Sequence, residues 1–235
     1  MRRALDGTTT LFLVSGRESA DRVAEHVTAV DAAVAADVDR IVYLSFTGAA
    51  PDATFTFARD HWHTEQHIRG TGLRFTFLRD NLYQAEFAVF AGPNGVIRGP
   101  AEDGRAAAVA HDDVADVEAV VLVDEAAGPG GHDGATYDIT GPAALSLQDA
   151  AAELSRVTGR TIRYLPETEE EAYESRSGYG APEFEVAGWV TTYLAIATGE
   201  LSTVSDTVER LTGHPSQQFA EFLRANPWSY QRLIA

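Results

Sequence analysis

Three short apolar runs, spaced about thirty residues apart and separated by stretches of helical periodicity, constrain this chain more than any other feature. Thr10-Leu11-Phe12-Leu13-Val14 lies between Gly7 and Gly16, Ile41-Val42-Tyr43-Leu44 ends at Ser45, and the third runs from Leu73 to Leu78. The first two, apolar on successive residues, read as strands buried on both faces, and the stretch from Leu73 to Leu78 reads as a third strand. Between the first two, positions 19–36 repeat Val23, Val27, Val30 and Val34 at helical spacing, with Arg22 and His26 four apart on a neighbouring stripe. A second helix is expected over 57–69, closed by Gly70 and Gly72. Strand, helix, strand, helix, strand at this spacing predicts a parallel α/β sheet with right-handed crossovers.

Beyond residue 90 the pattern loosens. Val96-Ile97 and 107–109 are short strand candidates, Asp112-Asp113 opens a helix reaching Leu122, and 136–140 and 161–165 are further strands. Ser146-Leu147-Gln148-Asp149 has the form of a capping box, starting a helix through Val157 that Gly159 stops. From Glu167 only helices are expected: an acidic one, one opened by Pro182 and running to Ala197, one over 202–211 and one over 219–223. The chain thus divides into a sheet domain over 1–165 and a helical lobe over 166–235 that would serve as substrate lid.

Composition narrows the function. Acids outnumber bases by 35 to 18, giving a net charge of −17, and no nucleic-acid or anionic-membrane partner is expected of such a field. All 18 bases are arginine, so lysine chemistry is excluded, and the absence of cysteine removes thiolate catalysis and disulfides. Met1-Arg2-Arg3 precedes too short an apolar run for a signal peptide or membrane span, so a cytoplasmic protein is expected. His61, His63, Glu65 and His67 crowd one helix, but only His63 and His67 share a face and no third ligand is evident, so solvated histidines rather than a metal site are expected. Asp112-Asp113 reads as N-terminal capping, and Glu167 with Glu169, Glu170 and Glu171 as a solvated face. Phe184, Trp189 and Tyr193 read as core, Trp189 or Tyr193 alternatively roofing a flat aromatic substrate.

Arg22-Val23 with His26, Asp31-Ala32-Ala33, Ile41-Val42-Tyr43-Leu44-Ser45, His61 with Thr64-Glu65, Thr76-Phe77-Leu78-Arg79-Asp80-Asn81 and Tyr83 together resemble the NmrA-like atypical short-chain dehydrogenase/reductases, in particular their quinone-oxidoreductase-like branch. Asp113-Val114-Ala115, Tyr137-Asp138-Ile139-Thr140-Gly141-Pro142 and Thr158-Gly159-Arg160 follow in the same order. Asp37 stands where the resemblance expects glycine, and His111 where it expects arginine. The resemblance implies a Rossmann-like, mostly parallel sheet with a helical lobe, NADP or NAD as cofactor, and hydride transfer to a quinone or small carbonyl acceptor. It also implies a Gly-rich strand-turn-helix that holds the pyrophosphate, and no such motif precedes a helix in this sequence. Met1 to Gly7 resembles the end of the helix before the family's fourth strand, so roughly 50–70 residues of the family pattern are expected to lie outside this chain. Either the start was assigned late or the chain is a half-Rossmann relic, in which case the strand at Leu11 is an open edge that would pair two chains as a homodimer.

By resemblance the cofactor contacts are Ser15, Gly16, Ser45, Phe46, Thr47, Leu78 and Asn81, at or near the carboxyl ends of the strands, and the catalytic residues facing the acceptor are His61 and Tyr83. Turn formation by the small polar residues and loop capping by Asn81 stand beside these roles. Short-chain dehydrogenases pair a serine with a tyrosine four residues before a lysine. Here Ser45 keeps the strand-end place while the helix offers His61 and Glu65 at that spacing, His61 as a proton donor of ordinary pKa or the two as a pair on an exposed helix face. Two further functions stay open: a non-catalytic dinucleotide sensor acting on a protein partner, and a cofactor-free small-molecule-binding relic.

Overall fold

A computed structural model describes residues 2–127 and 131–234. After a 3₁₀ turn at Arg2–Ala4, where the sequence resembles a helix end whose Met1 lies outside the described residues, the chain alternates strictly: β1 Thr10–Val14, α1 Arg22–Val34, β2 Arg40–Phe46, α2 Thr56–Gly70 and β3 Arg74–Asp80. Then follow α3 Gln84–Phe90, β4 Val96–Gly99, β5 Arg105–Ala106, α4 His111–Ala127, β6 Thr136–Ile139, β7 Leu145–Ser146, α5 Leu147–Thr158 and β8 Arg163–Pro166. Helices α6 Glu169–Arg176, α7 Glu183–Ala197, α8 Thr207–Thr212 and α9 Phe219–Ala225 complete it. The main sheet has the order β1-β2-β3-β6 and all its pairings are parallel. Beside it β4 pairs β8 in parallel and β5 pairs β7 antiparallel.

Alternation along β2 explains why Ile41 to Leu44 are apolar on successive residues. Ile41 and Tyr43 pack with Val30, Ala33, Ile68 and Phe77 under α1 and α2, whereas Val42 packs on the other face with Leu78, Val117, Val121 and Val208 under α4 and α8. A strand covered on both faces has no solvent side to mark with polar residues. β1 departs from that expectation: at the sheet edge Leu11, Phe12 and Leu13 are only half-buried and Val14 is 53% exposed. Gly159 caps α5 in the left-handed region (φ 68°), and the Ser146–Asp149 capping box closes through two 3.1 Å bonds. Asp37 adopts φ 54°, the conformation in which glycine costs least, which accounts physically for the glycine expected there.

The third core ties the C-terminal helical segments to the middle of the chain. Tyr193, Ile196, Leu201, Phe219 and Leu223 of the helical segments pack with Phe87, Ala88, Ile97, Leu147 and Leu154. Two close approaches fix α7: a Cβ at Gly188 would meet the Phe57 ring at 2.4 Å, and one at Gly99 the Tyr193 ring at 2.4 Å.

Candidate active site

The carboxyl ends of β1, β2 and β3 open into a cavity of about 1190 Å³. Open parallel sheets bind ligands at that edge because the chain diverges there into loops and helix N-termini. Of the nine residues expected from sequence, Ser15, Gly16, Ser45, Phe46, Asn81, His61 and Tyr83 line it. Thr47 and Leu78 do not. The Thr47 hydroxyl donates to Asp138 at 3.2 Å, and Leu78 is fully buried in the core with Val42, Val117 and Ile139, because strand alternation turns it away from the cavity. Asn81 reaches the wall with its amide already engaged, Nδ2 donating to Leu201 O at 3.0 Å and Oδ1 accepting from Leu82 N at 2.7 Å. The α7 residues Gly188, Trp189, Thr192 and Tyr193 cover the far side, so Trp189 and Tyr193 face the space that a flat ligand would fill.

Beneath Ser45 lies a buried ion pair. Glu65, 1% exposed at its side chain, accepts from Arg79 at both carboxylate oxygens (2.8 and 2.7 Å) and from the Ser45 hydroxyl at 2.6 Å. Since a carboxylate only accepts, the Ser45 hydrogen is committed to Glu65 and its lone pairs alone are available to a ligand. A serine held this way receives an N–H or O–H and cannot polarise a carbonyl.

His61 corrects the expectation of an exposed His61–Glu65 pair: both are buried and each has other partners. Arg22 Nη2 donates to His61 Nε2 at 3.3 Å, so the ring hydrogen sits on Nδ1 and donates to the Tyr43 hydroxyl at 2.9 Å, which in turn points to Ser15 at 3.4 Å. Burial, reinforced by the Arg22 guanidinium, holds His61 well below the ordinary histidine pKa and His26 at about 4, while burial raises Tyr43 to about 12. A neutral imidazole with both nitrogens engaged is not the proton donor that the sequence suggests. Arg22 itself is only 6% exposed, lines the cavity, and its Nε has no hydrogen-bond partner among the described residues.

Sequence reasoning missed Arg22 and Tyr43 as parts of this site, and placed Asp80 beside Asn81 at the end of β3 without a role of its own. Two other expectations change. Asp113 accepts from Gln217 N at 2.8 Å, joining α4 to the segment before α9 rather than capping its own helix. Glu167 is buried between Arg98 and Arg176, both at 3.2 Å, instead of lying on a solvated face. His67 bonds Asp31 at 2.8 Å and His63 is exposed; the described residues contain no group of three or more potential metal ligands. No helix among the described residues is long and apolar enough to cross a membrane.

Comparison with known proteins agrees with this architecture. An NAD(P)H azoreductase of Xenophilus azovorans is 31% identical over 95% of this chain and 77% of its own length. The NADPH-dependent quinone oxidoreductase of Escherichia coli, solved with NADPH, superposes with a TM-score of 0.85 at 29% identity, over 95% of this chain and 78% of the other. The triphenylmethane reductase of Citrobacter sp., solved with NADP(H), superposes with a TM-score of 0.81 at 27% identity, over 99% and 78%. The NmrA-like family pattern matches residues 1–182, and the chain belongs to the NmrA-like family.

Proposed function

We propose that this protein is an NAD(P)H-dependent oxidoreductase passing hydride to a quinone or another small carbonyl acceptor, the two ligands meeting in the cavity above β1, β2 and β3. Relatives named as an azoreductase, a quinone oxidoreductase and a triphenylmethane reductase support the reaction class. The observation that carries the reading is the cavity of about 1190 Å³ at the carboxyl ends of β1, β2 and β3, with Ser45 and Arg22 buried in its wall and Arg22 Nε without a hydrogen-bond partner among the described residues.

These groups fit a nicotinamide nucleotide, whose carboxamide offers an N–H to Ser45 and whose carboxamide, ribose and phosphate oxygens suit Arg22. Either NADP or NAD meets that requirement. When bound, the dihydronicotinamide supplies the hydride. Ser15 and Gly16 border the cavity at the end of β1, and Phe46 gives the apolar contact that keeps water from the ring. Asn81, its amide spent internally, sets the loop that carries Tyr83. Tyr83 faces the acceptor as a hydroxyl, its phenol held neutral by burial and by the neighbouring Asp80. His61 acts as a positioning residue for Tyr43 and Arg22.

Mixing the protein with NADPH and a water-soluble naphthoquinone tests the reading. Quinone-dependent loss of reduced-nicotinamide absorbance is expected. Tight NADPH binding with no turnover of quinone or azo dye would favour the sensor, and a folded protein without NADPH binding would sink the proposal.

A further inference from the structure

The orthodox lysine relay has no counterpart in a chain without lysine, and His61 is neutral and fully engaged, so the proton for the reduced acceptor needs another source. Resting on the oxidoreductase reading above, we propose that Asp80 and Tyr83 form a two-residue proton relay to the acceptor, Asp80 as the acid and Tyr83 as the conduit.

Asp80 is the last residue of β3 and lies on the cavity wall with 7% exposure. Its carboxyl and the Tyr83 side chain, three residues apart on the same cavity wall, lie close enough for each to shift the other's titration. Tyr83 lines the same cavity, and its ring stacks on His111 with centroids 3.8 Å apart and planes 13° from parallel, which fixes where the hydroxyl points. The surroundings of Asp80 give its charge little compensation. Its register neighbours on β2 and β6, Phe46 and Ile139, are uncharged. From α4 Glu118 opposes ionisation, and Arg22 of α1 favours it but is outweighed; no ion pair among the described residues includes Asp80. Burial dominates and raises the carboxyl to about 7, so near neutral pH a large share is the acid. Glu86 of α3 adds to the fields that keep Tyr83 protonated.

Once hydride has reached the acceptor, one of its oxygens carries the new electron pair as an anion. The Tyr83 O–H bond breaks toward that oxygen while the Asp80 carboxyl proton passes to the Tyr83 oxygen. The product leaves as a neutral quinol, Tyr83 is again a phenol, and Asp80 is left as a carboxylate that water reprotonates. A protonated carboxyl beside the hydroxyl thus supplies what an ammonium supplies in the orthodox relay.

Two substitutions and two readouts test the relay. Carboxyl ¹³C NMR on the nucleotide-free protein should show two resonances that titrate near neutrality, those of Asp80 and Glu118, of which the first is missing from Asp80→Asn. With NADPH and a water-soluble quinone, wild-type kcat should fall as pH rises through about 7. Asp80→Asn and Tyr83→Phe, which keeps the ring on His111, should be about 10²-fold slower and lose that fall, with NADPH affinity retained. An ordinary carboxylate titration for Asp80, or a wild-type rate and pH profile in Asp80→Asn, overturns the relay and leaves the oxidoreductase reading standing. A wild-type protein that neither binds nor oxidises NADPH overturns that reading and the relay with it.

Discussion

Replacing Glu65 by glutamine removes the charge beneath Ser45 while keeping its shape, and its cost can be worked from the geometry. Glu65 accepts three hydrogen bonds of 2.6–2.8 Å with its side chain 1% exposed, two of them from Arg79, whose side chain is 21% exposed. Breaking a buried ion pair costs about 3–5 kcal/mol, and the partial access of Arg79 to water places this case near the lower end, about 3 kcal/mol. For a chain of 235 residues, that amounts to a fall in Tm of roughly 6–12 °C. Ser45→Ala loses one hydrogen bond to the carboxylate, about 1.5–3 kcal/mol. Because the two residues share that bond, the double variant should cost less than the sum of the singles, by about 1 kcal/mol. Thermal and urea unfolding of the four proteins completes the cycle. A loss below about 1 kcal/mol in Glu65→Gln, or strict additivity with Ser45→Ala, would refute the claim that this ion pair fixes the Ser45 hydroxyl.

Other consequences are equally open to measurement. The buried histidines make the fold acid-sensitive: the folded pKa of His26, about 4, lies below the unfolded value, so its contribution is complete above pH 6.5 and is lost as pH falls toward 4, with a ceiling of about 3 kcal/mol. Urea midpoints across that window should fall steadily, and His26→Gln should flatten the fall. Arg22→Met removes the cation that depresses both His26 and His61, so imidazole NMR titrations should move upward in the variant; unchanged titrations would contradict the network. Gly188→Ala drives a methyl group into the Phe57 ring, 2.4 Å away, and should cost about 1–3 kcal/mol despite alanine's better helix propensity, with Phe57→Leu restoring most of it.

The elements whose signal is local were legible in the sequence. β1, β2 and β3 announce themselves as apolar runs, α5 by its capping box and closing glycine, and the carboxyl-end position of Ser15, Ser45 and Tyr83 by strand order. What failed depends on residues far away in the chain. The valine repeat of α1 marked one face, yet Arg22 and His26 are buried and Val34 is exposed, because their partners His61 and Thr64 arrive 39 and 38 residues later on α2. Glu167 looked solvated among its acidic neighbours until Arg98, 69 residues earlier, closed over it. Leu78 followed the strand toward the site but alternates into the core. Asp80 carries no local mark of a raised pKa, since only tertiary burial supplies it.

The account stands on the cavity above β1, β2 and β3 being the nucleotide site, and Gly16 allows a clean test. An added Cβ there meets nothing within 4 Å, so Gly16→Trp should fold normally while its indole crowds the cavity that Gly16 lines. NADPH titration of both proteins, followed by nucleotide fluorescence and Tm, should give saturable binding and a rise in Tm for the wild type and neither for the variant, with equal Tm values before NADPH is added. Equal NADPH binding by both proteins, or none by a cooperatively folded wild type, would contradict it.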